Sequence, residues 1–257
     1  MEFVPATIWA IGLVFARVGA LMMLVPGIGD QFVPARIRLM VALFLAFVIA
    51  PVVASQVPPL PAQPGAMAAM LVMEVLIGLG IGMATRMLFS TLATAGAIAG
   101  MQTGLAMAMT FDPTQGSQGA IFGTFLAILG TTLVFQADAH HWFIAGAVNT
   151  YNLMAPGEAV PWGDMAQYLI AAFARSFLLA VQITAPLLLF GIIFNVALGI
   201  LNRVAPTIQV FFIAQPLQVM LGLALFMVTA GAGMLVWLEA VVSAGRDLAA
   251  GGPGGGG

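Results

Sequence analysis

Long apolar stretches alternate with short polar ones along most of the chain. About 20 apolar residues are enough for a helix to span the hydrocarbon core of a bilayer, which is about 30 Å thick. A helix also satisfies its own backbone hydrogen bonds, which lipid does not do. The pattern therefore predicts an all-α, polytopic membrane protein. The apolar stretches are residues 6–25, 37–50, 66–111, 120–135, 168–201 and 208–242.

The third stretch, residues 66–111, is too long for one crossing at about 1.5 Å of rise per residue. Only Glu74, Arg86 and Gln102 interrupt it. We expect a turn within residues 86–96, which would divide the stretch in two and give seven segments in all.

The arginines between these seven segments predict an orientation. Arg36, Arg38, Arg86 and Arg246 would lie on one side of the membrane, and Arg203 on the other. Positively charged loops favour the cytoplasmic side. The side with four of these five arginines would then be cytoplasmic, and so would the C-terminus, provided that the third stretch turns.

Stretches rich in proline, glycine and polar residues predict the connections. Residues 55–65 contain four prolines, which disfavour helix and favour an extended, polyproline-like linker. Turn residues make 112–119 a loop, and 136–164 is a longer mixed region. The glycine-rich residues 251–257 are expected to be disordered, so that residues 1–250 form a single membrane domain.

Composition supports a membrane protein and limits its chemistry. Of the 257 residues, 62% are hydrophobic and 6% are charged, whereas a soluble domain has about 25% charged residues. The chain has no cysteine, which excludes disulfides, thiolate nucleophiles and cysteine-ligated metals. All seven basic residues are arginines and the net charge is -2, so the chain offers no basic face for nucleic acid.

Five ionisable residues lie in or near the apolar segments. A charge at the bilayer centre costs about 2.5–3.5 kcal/mol on insertion scales. We expect the deeper residues, Arg17, Glu74 and Arg175, to be buried against partners. Arg86 and Glu239 are nearer to segment ends, where long side chains reach the interface. A small-solute transporter that couples through the deeper residues is the alternative, but the inverted repeats typical of transporters are not found.

His140 and His141 are adjacent, and Asp138 lies two positions before them. Neighbouring histidines on a helix point about 100° apart, whereas ligands of one metal ion occupy positions i and i+3 or i+4. Because Trp142 and Tyr151 are nearby, we interpret the segment as an interfacial one, with no metal and no cofactor. Nothing in the chain forms a nucleophile with its base, a phosphate-binding loop or an intramembrane catalytic motif, which predicts that the protein is not an enzyme.

Small residues and methionines mark two further features. Small residues at helical spacing let helix backbones approach closely, and methionine adapts its shape to fill irregular gaps. The small residues are Gly78, Gly80, Gly82 and Ala84 in one set and Gly96, Gly100 and Gly104 in another. The methionines are Met101, Met107 and Met109, which lead to Phe111 and the Asp112-Pro113 loop.

A run of residues near the last apolar stretch is the most specific motif. The sequence LGILNRVAP at 198–206 contains Asn202, Arg203 and Pro206, and QVFFI follows at 209–213. These residues resemble the signature of the FliR/SpaR family of type III secretion export-gate proteins. Further motifs of that family occur in order at residues 17–20, 33–38, 76–82, 104–113 and 140–142. Ala139 is a departure, because the family often has glycine there.

The resemblance implies a non-enzymatic subunit of the flagellar export gate, a helical hetero-oligomer of packed hairpins in the bacterial inner membrane at the flagellar basal body. Members of the family assemble with FliP and FliQ, and FlhB surrounds the entrance. Unfolded flagellar subunits pass through the centre. The homologous gate of injectisomes is the alternative within the same family.

The resemblance also implies that a loop of this chain plugs the closed channel. By motif the plug is residues 107–119, and the residues implied are Met107, Met109, Phe111, Asp112, Pro113, Gly116 and Gly119. Residues implied to have structural roles in the family motifs are Arg17, Arg36, Glu74, Asn202, Arg203 and Pro206. Gly116 and Gly119 stand among glutamines here, so the detailed sealing contacts do not transfer.

Overall fold

The structure is a computed structural model that describes residues 3–30, 33–105, 119–158, 160–204 and 210–251. These residues form helices and connections, and the described part of the chain contains no strand, which confirms the predicted all-α class. The helices are α1 (Phe3–Met22), α2 (Ala35–Ile49), α3 (Pro64–Gln102), α4 (Gly119–Gln136), α5 (His140–Leu153), α6 (Trp162–Val204) and α7 (Val210–Ala250), with a 3-10 turn at Ala54–Gln56.

The proline-rich linker agrees with the sequence. After the 3-10 turn the backbone is not helical until Pro64 begins α3. Proline is well tolerated in the first turn of a helix, because its missing N–H would have no partner there. The indole N–H of Trp9 donates to the carbonyl of Pro58 over 3.3 Å, which ties the linker to α1.

The turn expected within residues 86–96 is wrong. Helix α3 continues without interruption for 39 residues. The turn was expected from the length of the stretch alone, and no proline follows Pro64 in the helix to end it. At Gly96 a side chain would collide with the backbone of Gly123 in α4. The predicted orientation in the membrane assumed that turn, so it no longer follows from the arginines.

The mixed region 136–164 also differs from its prediction as a connection. It contains the 14-residue helix α5, which follows α4 after a bend of 76°. Asp138 lies in this bend with a φ of 54°, a left-handed conformation that aspartate adopts more readily than most residues.

Among the residues that the structure describes, three helices are long and apolar enough to cross a membrane, namely α3, α6 and the Ala214–Ala250 part of α7. The bent pair α4 and α5 would be a fourth if it forms one broken span. The seven hydropathy segments thus correspond to three or four candidate spans. Each of the three long helices contains 37 to 43 residues, or roughly 55–65 Å of helix, about twice the thickness of the hydrocarbon core.

The chain divides into two compact units. Unit 1 comprises Met1–Leu88, Val134–Ala174 and Val241–Gly257, and unit 2 comprises Phe89–Leu133 and Arg175–Ala240. Helices α3, α6 and α7 each contribute residues to both. The single domain at 1–250 stays a prediction.

Each unit has its own apolar core. In unit 1, buried residues of α1, α2, α3 and α5 pack together, among them Val18, Ile49 and Ile77. In unit 2, the fully buried Trp237 meets the edge of Phe89 at 5.1 Å between ring centroids. Phe122 and Phe226 form a second edge-to-face pair at 4.7 Å, an arrangement that aromatic rings prefer.

We expect Gly96→Ala to destabilise the purified chain by about 1–3 kcal/mol, the usual cost of forcing an extra group into a packed site. The new methyl group would meet the backbone of Gly123, which has no flexible side chain to move. Thermal unfolding in mild detergent measures the effect.

Gly231→Ala is the matched control, because nothing lies within 4 Å of an added Cβ at this position of α7. Alanine is the better helix former, so this variant should be as stable as the parent or up to about 1 kcal/mol more stable. Equal stability of the two variants would contradict the close contact between α3 and α4.

Candidate functional site

A buried ion pair joins α1 to α3. The Arg17 Nε donates to Glu74 Oε2 over 2.6 Å, and Nη2 donates to Oε1 over 3.0 Å. This is the bidentate geometry in which a guanidinium group and a carboxylate bind most strongly. Both side chains are 1% exposed, as predicted for these two deep residues.

Helix α5 completes the surroundings of Arg17. The Nη1 group donates to the carbonyl of Thr150 over 3.0 Å. The guanidinium carbon lies 4.2 Å from the centroid of the Tyr151 ring, which supplies a cation–π contact. Tyr151 is 1% exposed, so its prediction as an interfacial anchor is wrong.

Glycine residues of α3 allow α1 to come close enough for this pair. A side chain at Gly78 would collide with the backbone carbonyl of Arg17. One turn further, a side chain at Gly82 would lie 3.0 Å from the carbonyl of Leu21. The predicted role of these small residues in close packing is confirmed at both positions. Gly80 instead faces the side chain of Met165, because it lies on another face of α3.

The other three of the five ionisable residues singled out in the apolar segments are exposed. Arg175 is exposed rather than buried, so the prediction of partnered burial is wrong for it. Arg86 and Glu239 are exposed as well. Arg86 lies far inside the continuous α3, so its predicted position near a segment end is wrong.

The end of α3 forms a second polar site, within unit 2. Gly104 has a φ of 76°, a left-handed conformation that ends a helix. The amide of Gln215 donates to the carbonyl of Gly104 over 3.1 Å, and that of Gln218 donates to the carbonyl of Gln102 over 3.1 Å. Both donors belong to α7. We name this group of contacts the α3 end site.

Two glycines let α3 end between α6 and α7. A side chain at Gly222 of α7 would lie 2.8 Å from the Cα of Thr103, which is fully buried. A side chain at Gly191 of α6 would collide with the amide of Gln102. The sequence did not predict Gln215, Gln218 or the two glycines as a site, although two amides in an apolar helix were a usable signal.

A third cluster lies at the bend between α4 and α5. Asp138, His140 and His141 each offer a ligand atom, and these atoms lie within 4.8 Å of one another. The two imidazole centroids are 4.2 Å apart, closer than their helical spacing predicted. Asp138 and His141 are exposed. Among the described residues, no further histidine or carboxylate joins these three side chains. The prediction that no metal binds stays a prediction.

The other predicted positions lie apart from these sites. Asn202 and Arg203 are exposed near the end of α6, and Arg36 is exposed at the start of α2. Gly119 is the first residue of α4. Outside the described residues lie Met107, Met109, Phe111, Asp112, Pro113, Gly116 and Pro206.

We expect Arg17→Leu and Glu74→Leu each to destabilise the purified chain by about 3–5 kcal/mol, because each leaves a buried charge without its counterion. The double variant, which removes both charges, should lose less than either single variant. Thermal unfolding in mild detergent would compare all three. Additive losses would contradict a coupled pair.

Two control variants separate the ion pair from its surroundings. Arg86→Leu makes the same change at an exposed position of α3 and should have little effect. Tyr151→Phe keeps the ring beside Arg17 and removes a hydroxyl that is buried without a hydrogen-bond partner among the described residues. It should be neutral or slightly stabilising.

Comparison with known proteins gives consistent matches over most of the chain. Residues 8–243 match the model of the family described as bacterial export proteins, family 1. The chain is 43% identical to the flagellar biosynthetic protein FliR of Caulobacter vibrioides over 232 residues, which cover 90% of this chain and 92% of the relative. It is 30% identical to FliR of Escherichia coli, covering 81% and 79%. It is 29% identical to FliR of Bacillus subtilis, covering 80% of each chain.

Proposed function

This chain belongs to family 1 of the bacterial export proteins and is a component of the flagellar export apparatus, and we propose that it forms part of the secretion channel. In this proposal it is a non-enzymatic subunit of the type III export gate in the bacterial inner membrane. The channel transports unfolded flagellar proteins, and other proteins supply the energy.

The observation that carries the proposal is the length of the exposed apolar surface. On α6, exposed apolar side chains extend from Ile170 to Val204, along roughly 50 Å of helix. Membrane helices tilt by up to about 40°, which would reduce this span only to about 38 Å. The hydrocarbon core is about 30 Å thick. The hydrocarbon core therefore covers only part of this surface, and we infer that neighbouring subunits cover much of the rest.

Exposed charges on the long apolar helices support the same proposal. Arg86, Arg175 and Glu239 are exposed in this chain, yet each would be costly in contact with lipid tails. Ionisable residues in such helices usually face a protein partner or a water-filled cavity. A subunit that helps to enclose an aqueous channel provides both environments.

We further propose that the covering subunits are FliP and FliQ, and that FlhB surrounds the channel entrance. This step depends on the family motifs, which run in order from residue 17 to residue 222. The resulting assembly would be the helical hetero-oligomer that the resemblance implies. The flagellar gate is favoured over the injectisome gate because the relatives compared above are flagellar proteins.

Residues 107–119 are the proposed channel plug. The segment contains Met107, Met109 and Phe111 beside glycines, and flexible apolar side chains adapt to the irregular wall of a closed channel. Its proposed role derives from the family motif, since residues 106–118 lie outside the described part of the chain.

A transporter is the less favoured alternative. It would use Arg17, Glu74 or Arg175 to couple ion movement to a solute. Arg17 and Glu74 already satisfy each other in bidentate geometry and are closed to solvent, which favours a structural role.

We expect that extraction in mild detergent, followed by native mass measurement, will find this chain bound to several copies of two smaller membrane proteins. The exposed apolar surface of α6 supports the presence of such partners. A chain recovered alone, or only as a homo-oligomer, would contradict the proposed assembly and favour a transporter.

For the plug, we expect that deleting residues 107–119 makes the assembled gate leak ions while the partners remain bound. The measurement is membrane conductance in cells that express the full set of partners. Unchanged conductance in the presence of assembled gates would reject the plug.

A further inference from the structure

The carbonyl groups at the C-terminal end of α3 accept hydrogen bonds from another helix. The last carbonyl groups of a helix have no partners within the helix and need donors from elsewhere. After the turn formed by the bond from the Gly104 N–H to the Met101 carbonyl, at 3.2 Å, the carbonyls of Gln102 and Gly104 point toward α7. Both accept hydrogen bonds there.

The two donors come from a distant part of the sequence. Gln215 is 111 residues from Gly104, and Gln218 is 116 residues from Gln102. Many helix C-termini, roughly a third to a half, are instead satisfied locally by the residues that follow them. Here a separate helix holds the end of α3, so the position of that end depends on α7.

The spacing along α7 explains how one helix does this. Gln215, Gln218 and Gly222 occupy positions i, i+3 and i+7, which lie on one face of a helix. Two long amides reach the carbonyls, and Gly222 leaves room for the backbone of Thr103. This face of α7 therefore offers two hydrogen-bond donors and a space without a side chain. The donors bind the carbonyls at the end of α3, and the space admits its backbone.

Helix α6 restricts the same point from another direction. The Gln102 side chain lies against Gly191, where no Cβ would fit. The amide of Asn195 donates to the carbonyl of Gly191 over 2.8 Å, within α6. The end of α3 is therefore hydrogen-bonded to α7, and its Gln102 side chain packs against Gly191 of α6.

We propose that Gln215 and Gln218 are positioning residues of the export gate, which hold the end of α3 and so fix the point from which the chain enters the plug. This inference rests on the proposed function, because it assigns the two glutamines to the gate that residues 107–119 close. It adds the requirement that a donor be present on α7 at both positions.

The test uses Gln215→Met, Gln218→Met and the double variant in the full chain, expressed with its partners. Methionine has nearly the same length as glutamine but has no donor. We expect the double variant to raise the ion conductance of assembled gates by about tenfold, which corresponds to about 1.4 kcal/mol. Each single variant should have a smaller effect.

Gln182→Met is the matched control, because Gln182 is an exposed glutamine of α6 in the same unit. It should leave the conductance unchanged. A role in packing alone predicts that the double variant behaves like this control, since methionine fills the same space. A double variant that assembles normally and does not leak would overturn the inference.

Deletion of residues 107–119 in the same cells separates this inference from the proposed function. If the deletion leaks and the double variant does not, the positioning role is wrong and the plug stands. If the deletion does not leak, the plug itself is wrong, and the positioning role fails with it.

A second measurement applies if the double variant does not assemble. The chain has no cysteine, so Leu105→Cys places a single thiol beside Gly104. In the purified chain, we expect a maleimide to label this thiol several-fold faster when both glutamines are methionine. An unchanged labelling rate would overturn the inference.

Discussion

The ion pair between Arg17 and Glu74 is the contact on which the packing of unit 1 depends. In an apolar interior, each charge would be very costly alone, so α1 and α3 must stay in the one arrangement that joins them. Gly78 and Gly82 permit that arrangement by admitting the backbone of α1. Helix α5 then supplies the carbonyl of Thr150 and the ring of Tyr151. Three helices that are distant in sequence are thereby fixed by the requirements of one guanidinium group.

Polar groups occur in two different environments in this chain. At the ion pair and at the α3 end site, buried donors and acceptors satisfy one another within the chain. On the outer faces of α3, α6 and α7, by contrast, apolar side chains and the charges of Arg86, Arg175 and Glu239 remain uncovered. A membrane protein that is complete alone has little reason to combine closed interior networks with open charged faces. The combination suits a subunit whose outer surface belongs to a larger assembly.

The sequence predicted the features that depend on local composition, such as the positions of apolar helices. It did not predict the features that depend on contacts between residues far apart in the chain. Apolar stretches located six of the seven described helices, and the cost of an isolated charge predicted the burial of Arg17 and Glu74. The continuity of α3 was missed because the turn was expected from the length of the stretch alone, and a helix of 39 residues is longer than one crossing of the hydrocarbon core needs. Arg175 has the same apolar surroundings in sequence as Arg17, and only packing decides that one faces inward and the other outward. The roles of Gln215 and Gln218 depend on carbonyls more than 100 residues away, which no local pattern contains.

The uncovered charges also bear on the synthesis of the protein. In the proposed assembly, a newly inserted copy without its neighbours would have to hold Arg86, Arg175 and Glu239 against lipid or draw water to them, at a cost of several kcal/mol in total. Such a copy would be less stable than an assembled one, and chaperones and proteases remove unstable proteins from cells. Cells would then retain only as many copies as they can incorporate. The same three side chains would thus match the amount of this subunit to that of its neighbours without any dedicated regulator.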